Sequence, residues 1–209
     1  MPKSFAFRRG PHGRTLGAAA LALAMLAGAA APAIAREVAG QNLPEQATVA
    51  GAPLVLNGAG VRYKAVFKVY VAALYLPKKS TAVGDAISTQ TPKRLHITML
   101  REIDANELGR MFTRGLEENL DRATSARLVP GILRMSQVFS DHKRLKEGES
   151  FQVDWVPGTG ALLTIKGQTL AEPFVDPAFF QALLRIWLGD KPADWQLKDA
   201  LLGKTGEAS

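Results

Sequence analysis

No cysteine occurs among the 209 residues. Disulfides, thiol nucleophiles, thiolate-bound iron–sulfur clusters and lipoprotein acylation are therefore excluded, and stability has to come from a packed core. Histidine is nearly as scarce. Beyond His12, only His96 and His142 are present, and neither has a partner at i+4 or a nearby thiolate, so no metal site is expected. His96 is expected as an exposed strand residue. No G-x-S-x-G elbow is found; Ser136 and Ser140 sit in a helical pattern, although distance alone does not exclude a Ser-His-Asp triad. Gly-Ala-Gly at 58–60 is not G-x-G-x-x-G and no βαβ unit surrounds it, which removes dinucleotide binding. No cofactor is called for. After residue 35 no apolar run is long enough to span a bilayer.

What is present begins with "MPKSFAFRRGPHGRTLGAAALALAMLAGAAAPAIAREVAG". Lys3, Arg8, Arg9 and Arg14 form a basic head without an acid, an apolar run follows from Leu16 to about Ala31, and Ala33-Ile34-Ala35 matches an A-x-A cleavage site. This is the layout of a cleaved signal peptide over residues 1–35. A membrane anchor is the alternative, but the run is short and weakly apolar. Arg8-Arg9 precedes Gly10-Pro11, which does not decide between general and twin-arginine export. The expected product is a periplasmic or secreted domain over 36–203, with a frayed tail at 204–209.

Removing the leader also changes the charge. Four of the 26 basic residues and none of the 19 acids lie within it, which leaves a balance of about +3. The remaining cations alternate with acids, as in "REIDANELGRMFTRGLEENLDR", so no basic stripe for nucleic acid exists.

Gly- and Pro-punctuated short strands are expected from Glu37 to Arg62, followed by "FKVYVAALYLP", a strand apolar on both pleat faces. "KRLHITML" alternates Leu95, Ile97 and Met99 against Arg94, His96 and Thr98. Asp104 reads as an N-cap, and Leu108, Met111, Phe112, Leu116 and Leu120 then recur at helical spacing. A second helical pattern follows Pro130. "SFQVDWVPGTGALLTIKGQ" reads as a hairpin. "DPAFFQALLRIWLG" and "ADWQLKDALLG" read as helices capped by Asp and Gly. This order predicts an α+β domain, an antiparallel sheet with helices on one face.

The segment "LNGAGVRYKAVFKVYVAALYLP" opens on Gly-Ala-Gly, expected as a turn, and carries Arg62 and Tyr70. Two readings of the pair stand. In one, Arg62 forms a surface ion pair and Tyr70 is a core tyrosine. Alternatively, both face one apolar cleft, where a guanidinium fork and a hydroxyl suit the head group of an amphipathic acid. Strand parity does not decide, because a bulge or turn near Lys64-Ala65 would flip the register.

"NGAGVRYKAVFKVYVAALYLP" resembles the signature segment of the chalcone isomerase superfamily, in its bacterial chalcone isomerase-like branch. "FFQALLRIWLGDKPADWQLKDALLG" resembles that branch's closing helices, so the likeness runs in order from about Leu54 to Gly203. It implies an antiparallel sheet layered against helices, the open-faced β-sandwich. Plant members close a ring within the substrate, using Arg, Thr and Tyr; non-catalytic relatives bind fatty acids, with Arg and Tyr on the carboxylate. The family arginine falls on Arg62. The enzymes' Thr falls on Tyr70, and their helical Tyr falls near Leu108, which has no hydroxyl. Loss of such donors removes transition-state stabilisation rather than binding. The resemblance thus implies a non-catalytic protein that binds a fatty acid or similar amphipathic anion. Arg62 and Tyr70 would hold the head group, and Leu108, Met111, Phe112 and Leu116 would line the tail pocket. An intramolecular lyase and a structural envelope protein with a vestigial cleft are the alternatives, and the oligomeric state is left open.

Overall fold

The computed structural model describes Met1 and residues 35–204. The expected leader and tail therefore lie outside the described residues, apart from Met1, Ala35 and Lys204. β1 (Ala35–Val38) and β2 (Gln41–Pro44) form a separate hairpin. β3 (Gln46–Val49), β4 (Ala52–Lys64) and β5 (Phe67–Leu76) follow as a meander, and the short α1 (Val83–Ile87) leads to β6 (Lys93–Met99). β7 (Ile103–Asp104) runs into α2 (Ala105–Asn119), α3 (Arg122–Asp141) comes next, and β8 (Arg144–Leu145) pairs back with β7. β9 (Ser150–Val156), β10 (Gly160–Ile165) and β11 (Gln168–Thr169) complete the strands, and α4 (Pro177–Leu188) and α5 (Trp195–Leu201) close the chain.

Seven strands form one curled antiparallel sheet in the order β11-β10-β9-β6-β5-β4-β3. The fold is α+β, as the order of elements predicts. Leu95, Ile97 and Met99 of β6 and Phe151, Val153 and Trp155 of β9 share the helix-side core with Phe112, Phe139 and Trp187. A smaller cluster lies on the other face, where Leu43 of β2 packs with Leu54, Leu56, Val71, Ala73 and Tyr75. β5 is apolar on both sides because each face has its own cover.

Sequence signals placed the helix starts well. Asp104 accepts hydrogen bonds from the Asn106 and Glu107 amides at 2.9 and 3.2 Å. Asp176 caps α4 with Pro177 in its first turn. Two local expectations are corrected. The second helix does not wait for Pro130: it starts at Arg122, capped by Asp121, and carries Pro130 inside. A proline donates no amide bond, yet the helix continues through it and packs against both α2 and α4. Gly58-Ala59-Gly60 is not a turn but the middle of β4. α5 lies against that strand: a Cβ on Gly58 would stand 2.0 Å from the Ala200 carbonyl oxygen, and one on Gly60 2.7 Å from the Ala200 Cβ. Those glycines permit close packing rather than reversal.

Among the described residues no helix is long and apolar enough to cross a membrane.

Candidate ligand-binding site

Arg62 and Tyr70 are direct cross-strand partners in the β4–β5 ladder. Their common orientation depends on a bulge the sequence did not announce. The register shifts between Leu56 and Gly58, leaving Asn57 as the extra residue. Before it, Leu54 and Leu56 face the smaller cluster; after it, Ala59 and Val61 do. The bulge therefore turns Gly58, Gly60 and Arg62 toward the helices, where Tyr70, Ala72 and Leu74 already point. Asn57 is held by its own side chain: its amide nitrogen donates to the Leu201 and Ser80 carbonyls at 2.7 and 3.0 Å, and its oxygen accepts from the Ser80 amide at 2.7 Å. A second shift, past Arg62, leaves Val69 unpaired in β5.

Two residues that sequence reasoning passed over complete the cluster. Trp187 of α4 donates its indole N–H to the Tyr70 hydroxyl at 2.8 Å, both side chains being buried. That hydroxyl keeps its own proton to donate. Burial pushes the Tyr70 phenol up to about 12, against the opposing pull of the Trp187 hydrogen bond and the Arg62 charge, so it stays neutral at physiological pH. Asp194 caps α5 through the Gln196 and Leu197 amides, and its Oδ2 accepts from the Tyr63 amide at 3.1 Å. Arg62 approaches that same oxygen at 3.6 Å, too long for a firm hydrogen bond. The Arg62 Nε is buried and has no hydrogen-bond partner. A buried, unpaired guanidinium N–H costs free energy that one acceptor would recover. The sequence signal for both missed residues lay in the second resembling block, a lone Trp on an apolar helix followed by a helix-capping Asp.

The residues expected to line a tail pocket are closely packed. Leu108, Phe112 and Leu116 are buried on the sheet side of α2, and Met111 is half-buried against the same core. The Phe112 ring centroid lies 5.1, 5.7 and 5.8 Å from those of Phe139, Phe151 and Trp187. The void beside Phe112, Leu116 and Leu183 measures about 10 Å³, no more than a single water needs.

A second polar cluster lies on the opposite face. Arg94 grips Asp154 with two hydrogen bonds of 2.6 Å. His96 meets Gln152 at 3.3 Å and Thr98 at 3.1 Å, beside a cavity of about 220 Å³ under β2. His96 is thus half-buried rather than exposed, because the β1–β2 hairpin covers its end of the sheet, and burial lowers its pKa. Among the described residues no three His, Cys, Asp or Glu side chains converge as metal ligands.

The family of chalcone isomerase-like proteins matches residues 35–203. The chain belongs to the chalcone isomerase-like family. A solved fatty-acid-binding protein of Arabidopsis thaliana shares the fold of this family member, with a TM-score of 0.63 at 12% identity over 78% of this chain and 92% of the other. No curated protein sequence matches.

Proposed function

We propose that this chalcone isomerase-like protein binds a fatty acid or similar amphipathic anion, with Arg62 and Tyr70 holding its head group. The observation that carries the reading is the buried Arg62 Nε without an acceptor, beside a neutral tyrosine whose proton is free to donate. One carboxylate between them satisfies both. The fold shared with a fatty-acid-binding protein agrees with it. Tyr70 and Leu108, where the resemblance places Thr and Tyr in the enzymes, favour holding an anion over turning it over. The acyl tail takes the room between sheet and α2 by displacing the Phe112 and Trp187 rings, so binding is coupled to repacking. Export to the periplasm, read from the leader, belongs to the same proposal.

Fatty acids of increasing length, titrated into delipidated protein, test it. Affinity rises by about 0.8 kcal/mol per buried methylene until the space is full, and Arg62→Ala weakens it by at least about tenfold. Absence of binding at every length, or an unchanged affinity in a folded Arg62→Ala protein, overturns the proposal. The small void beside Phe112 supports a second reading, an envelope protein whose cleft has closed. That reading requires a flat titration.

A further inference from the structure

The β4–β5 hairpin ends in a turn that buries nothing. Val66 is 82% exposed and Phe67 60%, both at the tip, and Tyr63 is exposed beside them. Asp194 accepts the Tyr63 amide at the foot of this hairpin, and the next residue, Trp195, is 61% exposed. Scattered exposed apolar residues need no explanation, but a cluster on one protrusion does.

The charge around this tip has one prevailing sign. "RYKAVFK", residues 62–68, contains no acid; of its cations Arg62 turns inward to the site, while Lys64 and Lys68 flank the tip. The Arg101 guanidinium lies over the Phe67 ring, 5.6 Å from its centroid. Lys68 is exposed, and the nearby acid Glu107 is engaged by Lys64 at 3.1 Å. Long cationic side chains beside protruding apolar ones are what an anionic bilayer surface selects: the apolar groups enter the acyl boundary while the cations stay among the phosphates. Each cation near such a surface contributes about 1 kcal/mol. A protein partner is less well matched, because a stable interface buries on the order of 1,000 Å² or more, and a convex tip carrying two bulky side chains offers far less.

We infer that the β4–β5 hairpin tip docks the protein on anionic lipid bilayers, Val66 and Phe67 inserting and Lys68 and Arg101 meeting the head groups. This goes beyond the binding proposed above and does not depend on it. The two are adjacent, since the Arg62–Tyr70 pair stands two rungs from the turn pair Lys64–Phe67. A protein docked this way presents its head-group site to the membrane–water boundary, where an amphipathic anion resides.

Phe67→Trp in a Trp195→Phe background puts a local reporter on the tip, since the remaining Trp155 and Trp187 are buried. With phosphatidylglycerol vesicles the added indole shifts to the blue and is quenched by brominated acyl chains. With phosphatidylcholine vesicles, or in high salt, both effects disappear. In flotation with the same vesicles, Lys68→Glu with Arg101→Glu lowers partition and flattens its salt dependence, and Val66→Ser with Phe67→Ser lowers it by at least about tenfold. An indole that neither shifts nor is quenched on either vesicle overturns the inference. So does equal response to both lipids, or a tip-dependent dimer in sedimentation without lipid contact. Fatty-acid titration of Val66→Ser with Phe67→Ser stays normal if only the docking assignment fails.

Discussion

At the scale of single residues, the site is defined by what each polar group lacks. Tyr70 is buried, neutral and used as an acceptor by Trp187. Arg62 reaches an aspartate already committed to capping a helix only at 3.6 Å, and its Nε has no hydrogen-bond partner. Replacing Tyr70 by Phe removes the acceptor of the Trp187 N–H without opening a cavity. The stranded N–H then costs about 1–3 kcal/mol, measurable as a lower midpoint in urea with an unchanged slope. A mutant as stable as the wild type would mean that the indole finds another acceptor, and that the Trp187–Tyr70 bond does not fix the cluster.

Between elements, the determining contact is α5 on β4. Asn57 bulges the strand, its side chain grips the Leu201 carbonyl, and Gly58 and Gly60 let the helix approach the backbone. The same arrangement brings Asp194 to Arg62. Gly58→Ala would drive a methyl group into the Ala200 and Leu201 carbonyls, at 2.0 and 2.8 Å. The expected loss is about 3 kcal/mol or more, the upper end for overpacking. The C-terminal helix should also exchange its amide hydrogens faster than α4, and Gly84→Ala, where nothing lies within 4 Å of the added Cβ, serves as the control. Undiminished stability in Gly58→Ala would show that α5 is free to shift, and would detach Asp194 from the account of Arg62.

For the molecule as a whole, the sheet carries two differently built faces, and the sequence announced one better than the other. Alternation along "KRLHITML" and "SFQVDWV" assigned the helix-side core correctly, because a period of two has one solution once a face is buried. Asp caps located three helix starts for the same local reason, at Asp104, Asp176 and Asp194, while Asp121 went unread behind Pro130. Three features were out of reach. A bulge at Asn57 leaves no mark in the alternation, since the residues around it are small or apolar on both sides. The cover over His96 comes from β1–β2, distant in sequence. The Trp187–Tyr70 and Arg62–Asp194 contacts join residues more than 100 positions apart. The family likeness, not the residue pattern, singled out Arg62 and Tyr70; the fold then explained how the two come to share a face.

The central claim is that the Arg62 Nε–H is a donor waiting for a carboxylate. Its proton is observable by ¹H–¹⁵N correlation in arginine-labelled protein, assigned through its disappearance in Arg62→Lys. Addition of a fatty acid should move that one resonance downfield and saturate at one equivalent, as a charge-assisted hydrogen bond forms. A fatty acid that binds elsewhere while the Arg62 Nε–H resonance stays where it was, or one that does not bind at all, would contradict the account.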